Sequence, residues 1–342
     1  LSPELYNLSW EKDYIGNLAL EVGLWNKIDV VAEAYQRKNK DLISEAAVAL
    51  EEGFGTKVIN FASMKNTGID ITIGLKNLLS SPDWHWNMQG VYGFVRNKVT
   101  DGELQSSLLT QITRANGYPL KGYPLEGLYA YKYSQLDLNG RPVFSNNGRS
   151  VQGISPSTQD RGHIRYVGSR QPLGTGSFSN TIGYKGFEMR IFFTFSHGNH
   201  VFMQPIAARS YSDNVSSPAD LAYRWRGPGD ESYTDIPGIL SSIERLHLAT
   251  VSQIDELAYN RSDLRVADAS VLRLSELMLS YELQPDLLKS VGGIKRARLS
   301  LSGNNLKYWA SKKMNGMDPE LLLTGVALPN PVSYSLRITA GF

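Results

Sequence analysis

The chain has 342 residues, no Cys, 42% hydrophobic residues and a formal net charge of +2. Without Cys there is no disulfide scaffold, no zinc ribbon and no cysteine nucleophile, and near-neutral charge argues against a general nucleic-acid binder. No run approaches 18 apolar residues free of charge, so no helix is expected to cross a membrane, and the length suits one large β domain or two ordinary ones.

Along the chain the dominant pattern has period two. Leu18, Leu20, Val22 and Leu24 alternate with Asn17, Ala19, Glu21 and Gly23, and Ile28, Val30, Ala32 and Ala34 follow in the same way. Ile69, Ile71, Ile73 and Leu75 alternate with Asp70, Thr72 and Gly74; Trp84, Trp86, Met88, Tyr92 and Phe94 stand opposite His85, Asn87 and Gln89. After a stretch at 125–166 where Asn139–Gly140 marks a turn but strand parity stays open, Phe187, Met189, Ile191, Phe193 and Phe195 oppose Glu188, Arg190 and Thr194. Leu277, Leu279, Tyr281 and Leu283 follow, then Ala297, Leu299 and Leu301, and finally Tyr334, Leu336, Ile338, Ala340 and Phe342. Successive side chains of a strand point to opposite faces. Each segment therefore has one apolar and one polar face, and its length fits the ~9–11 residues a tilted strand needs to cross a bilayer.

The links alternate in length. Short ones lie at 25–27, 78–83, 184–187 and 284–293; long ones are expected near 44–61, 99–122, 204–260 and 310–331, the third with some helical character at 241–259. Tight turns at one margin and long loops at the other are the asymmetry of outer-membrane barrels, which would put the short turns and the C-terminus on the periplasmic side. Trp25, Trp84, Trp86, Tyr184, Phe187 and Phe342 lie beside the short links, where interfacial aromatic girdles form. A soluble carbohydrate-binding β-sandwich explains the alternation equally well, but not the charged faces or one-sided loops. The fold class expected is an all-β antiparallel transmembrane barrel, to which this chain contributes roughly ten to twelve strands.

Candidate chemistry is sparse. His197 and His200 could approach each other, but no third ligand lies near in sequence, and a turn at Gly198–Asn199 is the simpler reading. The segment 137–141 lacks the later acidic ligands of a calcium loop, and Gly174–Ser177 is not followed by a helical pattern that could cradle phosphate. No nucleophile elbow is present. No catalytic residue, metal site, cofactor or nucleic-acid partner is therefore expected. Glu188, Arg190, Glu282, Arg296, Arg298 and Arg337 are candidates to face an enclosed lumen, as wall, plug contact or substrate path. Tyr118, Tyr123, Tyr211, Tyr223, Trp225 and Tyr233 are candidates to contact substrate or partner, unless they form the loops' own cores.

Several segments resemble one family along nearly the whole chain: LSWEKDYIGNLALEVGLWN (8–26), MKNTGIDITI (64–73), GSFSNTIGYKGFEMRIFF (176–193), YTDIPG (233–238), LRVADASVLRLSELMLSYELQ (264–284), ARLSLSGNNL (297–306) and MDPE (317–320). The chain resembles the C-terminal barrel part of SusC/RagA-type TonB-dependent outer-membrane transporters. Asp13 stands where that pattern usually has Thr, and residues 321–331 are idiosyncratic. The resemblance implies a barrel of about 22 strands, of which residues 1–342 would supply roughly the C-terminal half. An N-terminal plug and the first barrel strands would then lie outside this chain, which opens on Leu1. It further implies nutrient import of a glycan or peptide, a SusD-like surface lipoprotein and the TonB–ExbB–ExbD complex as partners, and no enzymatic activity. Tyr334, Leu336, Ile338 and Phe342 resemble the terminal signal read by the outer-membrane assembly machinery. A passive porin-like channel is the alternative, and a barrel enzyme is weaker still.

Overall fold

The computed structural model describes residues 8–47, 56–79, 81, 83–102, 108–208, 211, 214, 216–241, 243–244, 246–247, 254–284, 288, 293–325 and 328–342. In chain order the strands are β1 (Lys12–Leu24), β2 (Ile28–Ala47), β3 (Thr56–Leu75), β4 (Trp84–Gly102), β5 (Gly127–Tyr131), β6 (Tyr133–Leu136), β7 (Pro142–Asn146), β8 (Arg149–Val151) and β9 (Ile164–Ser169). They continue with β10 (Gly174–Tyr184), β11 (Phe187–His197), β12 (His200–Phe202), β13 (Val266–Asp268), β14 (Val271–Glu282), β15 (Arg296–Ala310) and β16 (Ser333–Gly341). Three short helices are α1 (Leu109–Ile112), α2 (Asp255–Asn260) and α3 (Pro319–Thr324).

Among the described residues nine strands make one antiparallel wall in the order β1-β2-β3-β4-β10-β11-β14-β15-β16. This is fewer than the ten to twelve expected. The reason lies at 125–166, whose strands β5 to β8 have three to five residues each and pair only among the loops. A strand that short cannot cross a bilayer. Residues 108–173 thus form one excursion between the neighbouring wall strands β4 and β10, and the 125–166 stretch, whose parity the sequence leaves open, adds no crossing. The expected loop at 44–61 is smaller than the alternation suggests. β2 and β3 stay paired up to Ala47 opposite Thr56, and residues 48–55 lie outside the described residues.

Register makes the wall two-faced. Leu20 pairs with Ala32, Ala32 with Ile71 and Ile71 with Tyr92; Ile182 pairs with Met189, Met189 with Leu279, Leu279 with Leu301 and Leu301 with Leu336. Paired residues share a face, so one side is apolar from edge to edge. Its side chains lie open rather than packed: Leu18, Leu279, Leu301 and Leu336 are all exposed. Among the described residues no second sheet covers them, which is the observation that separates a barrel wall from a sandwich. A bulge at Ser275 keeps the faces consistent: Leu272 and Leu274 share the face of Leu277 only because the register shifts there.

The short links lie together at one margin. Trp25 and Asn26 have φ of 53° and 54°, and Lys185 and Gly186 have 45° and 86°. Two successive positive φ values make the tight hairpin turn whose twist matches its strands. Following strand directions, β16 runs toward this margin, so Phe342 lies there too.

The buried core sits elsewhere. Leu109, Ile112, Tyr118, Tyr131, Phe144, Ile154, Ile206 and Tyr259 pack together among the long loops, drawing on both the 108–173 and the 198–270 excursions. A second cluster joins Val201, Met203, Ala267 and Ala269 to Met314 from the third loop. The long loops are therefore one folded roof, not separate strands of coil.

Candidate functional site

The polar face of the wall holds a charge network. Arg298 on β15 donates through Nη2 to Glu188 Oε1 on β11 at 2.5 Å and to Ser280 Oγ on β14 at 2.7 Å. His85 Nε2 on β4 lies 3.4 Å from the other oxygen of Glu188. One carboxylate thereby ties β4, β11 and β15 across the face, and β14 joins through the Arg298–Ser280 bond. The His85 ring reaches that position by lying over Gly183, its register partner on β10: a Cβ there would come within 1.7 Å of the ring. Arg190 pairs with Glu276 at 3.9 Å. Toward the other edge, Lys76 pairs with Asp29 at 2.5 Å and Arg37 with Asp13 at 2.5 Å.

Of the six residues expected to face a lumen, Glu188 and Arg298 are thus in direct contact, and Glu282 is the register partner of Arg298. Arg190 joins a separate pair. Arg296 and Arg337 stand opposite Gly341 and Ser300, with no ion-pair partner among the described residues. His85 and Ser280 complete the network and Glu276 completes the separate pair; the sequence alone marks out none of the three. His85 and Ser280 are on the polar side of the alternation, but their pairing needs the strand order. Glu276 is on the polar side too, directly before Leu277, and its pairing with Arg190 also needs the strand order.

The six loop aromatics divide. Tyr118 is 4% exposed, and the Arg114 guanidinium sits 5.1 Å from its ring. Tyr123 packs with Tyr129 and Tyr166. Tyr211 donates its hydroxyl to Ile206 O, and Trp225 donates Nε1 to Glu231. Only Tyr223 and Tyr233 project fully, at 75% and 91% exposure. Burial pushes the Tyr131 phenol up to about 12 and raises those of Tyr129, Tyr133 and Tyr259 further, so the roof's tyrosines stay neutral.

Two quoted motifs serve the roof. Asp318 of MDPE is 2% exposed, caps α3 through the Glu320 N–H at 3.1 Å and receives Arg273 Nη2 at 2.7 and 2.9 Å. This clamp docks the third loop on β14. In YTDIPG, Asp235 accepts the Tyr133 hydroxyl at 3.2 Å, and Gly238 N–H donates to Gly140 O. His197 turns to Tyr92, with Nε2 2.9 Å from the hydroxyl, while His200 is the register partner of Asp268.

The girdle candidates gather at the short-turn margin: Trp84 stacks against Tyr184 at 4.4 Å, and Phe187 against Tyr281, an addition, at 4.3 Å. Trp25 and Phe342 are exposed there, and Trp86 donates Nε1 to Asn180 at 3.0 Å.

An antiparallel wall with one apolar face open to its surroundings, one charged face, tight turns at one margin and a folded roof at the other defines part of a transmembrane β-barrel. No protein-family profile matches the chain. Curated relatives from Formosa agariphila do. TonB-dependent receptor P3 is 25% identical over 92% of this chain and 31% of its own length, and TonB-dependent receptor P26 is 23% identical over 93% and 32%. The chain spans about a third of the length of the curated relatives it matches. Among solved structures, the RagAB peptide transporter superposes with a TM-score of 0.72 at 23% identity, covering 92% of this chain and 33% of the other. The RagAB peptide importer in its 'open-open' state gives 0.72 at 22%, covering 98% and 35%. In sequence the chain is thus similar to about a third of the length of TonB-dependent receptors, and its fold is that of part of the RagAB transporter.

Proposed function

We propose that this chain is the barrel wall, roof and C-terminal seam of an active importer for a nutrient too large for passive diffusion, a glycan or a peptide, in the bacterial outer membrane. The observation that carries the reading is the open apolar face joined to a folded roof. The first needs lipid, and the second supplies a capturing surface that a simple pore does not need. β1 and β16 have no strand partner on their outer edges among the described residues. Unpaired backbone groups in hydrocarbon cost several kcal/mol each. The wall therefore closes in the membrane against further strands, which the same polypeptide would supply together with a plug. A SusD-like lipoprotein would cover the roof, and the TonB–ExbB–ExbD complex would act on the plug from the periplasm, where the short turns and Phe342 would lie. The Glu188–Arg298 network would line the plug-facing or substrate-facing wall. The strand with Tyr334, Leu336, Ile338 and Phe342 would carry the assembly signal.

The test is uptake by cells expressing the full-length protein. Import of labelled oligosaccharides and oligopeptides, tested separately, should collapse with a protonophore or on deletion of the TonB-contacting segment, and a lipoprotein should co-purify with the tagged receptor. Uptake that survives both treatments supports the passive channel instead.

A further inference from the structure

Toward the roof, the outward face of β1–β4 changes character. The face that carries Leu18, Ala34, Ile69 and Phe94 continues through Gly16, Gln36, Thr67 and Arg96 to Tyr14, Lys38, Lys65 and Lys98. Lys38 stands directly opposite Lys65, and Lys65 directly opposite Lys98. Arg96 lies one outward step below this row, and Lys12 and Lys40, themselves register partners, one step above. Like charges directly opposite destabilise a sheet. The nearby carboxylates do not relieve them: Asp41 is taken by Lys12 at 2.8 Å and Asp101 by Lys121 at 3.2 Å. Lys40 lies over the Tyr14 ring. Lys38, Lys65, Lys98 and Arg96 have no acidic partner among the described residues. Three of these cations, Lys65, Arg96 and Lys98, also line a groove together with Thr67 and, from the loops, Pro124 and Tyr166.

Height identifies the occupant. On β3 the outward residues run from Leu75 at the short-turn margin to Lys65. Ten residues make roughly 33 Å of strand, or roughly 25 Å along the membrane normal at a 40° tilt, which is the height of a barrel's apolar band. The row thus lies where hydrocarbon ends and headgroups begin, on the side away from the lumen, so a transported solute would not meet it. Closely spaced cations with free donors at that level match phosphate oxygens.

We propose that Lys38, Lys65 and Lys98, with Arg96, bind the phosphorylated headgroup of an outer-leaflet glycolipid. The inference rests on the apolar face lying in the outer membrane. It is tested on the full-length protein purified from outer membranes, with retained lipid identified by native mass spectrometry and delipidated protein titrated with lipid A, dephosphorylated lipid A and inorganic phosphate. Wild type should retain and rebind lipid A, and removing its phosphate should abolish the preference. Lys38→Gln/Lys65→Gln/Lys98→Gln should weaken lipid A binding on the order of tenfold to a hundredfold, while the corresponding triple Arg variant keeps it. Lys307→Gln, an outward cation over Trp309 on β15, should change nothing. Equal affinity for both lipids, or equal binding by the Gln variant, overturns the site. Inorganic phosphate competing as well as lipid A shows an anion site without a lipid and overturns it too. Heat-modifiable mobility reports whether each variant is folded. Wild type absent from the outer-membrane fraction sinks the membrane reading itself, whereas wild type present there without lipid discrimination sinks only this proposal.

Discussion

Placing Arg at successive outward positions of β14 should give a destabilisation that depends on depth. Tyr281, Leu279 and Leu277 all face outward, Tyr281 within the aromatic margin beside Phe187 and the others above it. Leu277 lies four residues up the strand from Tyr281, roughly 13 Å along it and roughly 10 Å along the normal. In an apolar band about 25 Å tall that is close to the midplane. Arg costs about 2–4 kcal/mol at the midplane and about 0–1 near the interface. Tyr281→Arg should therefore cost about 1 kcal/mol or less, Leu279→Arg an intermediate amount, and Leu277→Arg about 3 kcal/mol. The inward control is Ser179→Arg, whose side chain enters an open groove beside Gln89, Asn87 and Asp29 and should cost less than about 1 kcal/mol. The measurement is urea unfolding of the full-length barrel in phospholipid vesicles. A flat profile along β14, or equal damage from Ser179→Arg, would refute the assignment of faces.

Other outcomes follow from the roof and the network. Arg273→Met strands the buried Asp318 carboxylate, though its link to the Glu320 N–H remains; the cost should be about 3 kcal/mol, read as faster hydrogen exchange across 311–325. The Glu188–Arg298 pair is partly open to water, so a double-mutant cycle with Gln at both positions should give less than about 1 kcal/mol of coupling. His163 is buried in the roof beside Lys132, and desolvation holds its pKa below the ordinary value, with Asp160 only partly opposing. The unfolded chain thus binds a proton before the roof does. Its stability should be fully present above about pH 6.5 and fall as pH drops from there toward the depressed folded value, with His163→Gln removing that slope in hydrogen exchange. Deleting Phe342 should lower outer-membrane levels if the last strand carries an assembly signal; unchanged surface levels would remove that role.

The wall was legible because its physics is local. A strand with lipid on one side and water on the other must alternate, and the alternation from Leu18 to Ile338 can be read without knowing which strand neighbours which. What could not be read depends on neighbours. Glu188 meets Arg298 only because β11 and β15 flank β14, 110 residues apart in the chain. Glu276 meets Arg190 only because β11 and β14 are neighbours in the wall. At 125–166, Tyr131 and Phe144 are core residues of a small irregular domain, where strands of three to five residues are too brief for period two to declare itself. The loop aromatics suffered from the same gap: Tyr118 and Tyr233 look alike in sequence, and only packing separates the buried ring from the exposed one.

The two halves of the molecule are held by different forces, and this bears on how it can work. The wall has almost no side-chain core, so its cohesion comes from the backbone ladder and from lipid around it; in water that face would be a liability. The roof has a conventional apolar core assembled from three loops and pinned by buried charges, Asp318 under Arg273 and Asp255 under Arg141 at 3.2 Å. It can therefore keep its shape independently of what passes through the lumen. A channel that only needs an open bore gains nothing from so costly a superstructure. A receptor that must hold a surface still while its interior is pulled open does, and this is why we read the roof as the capturing face of an energised importer.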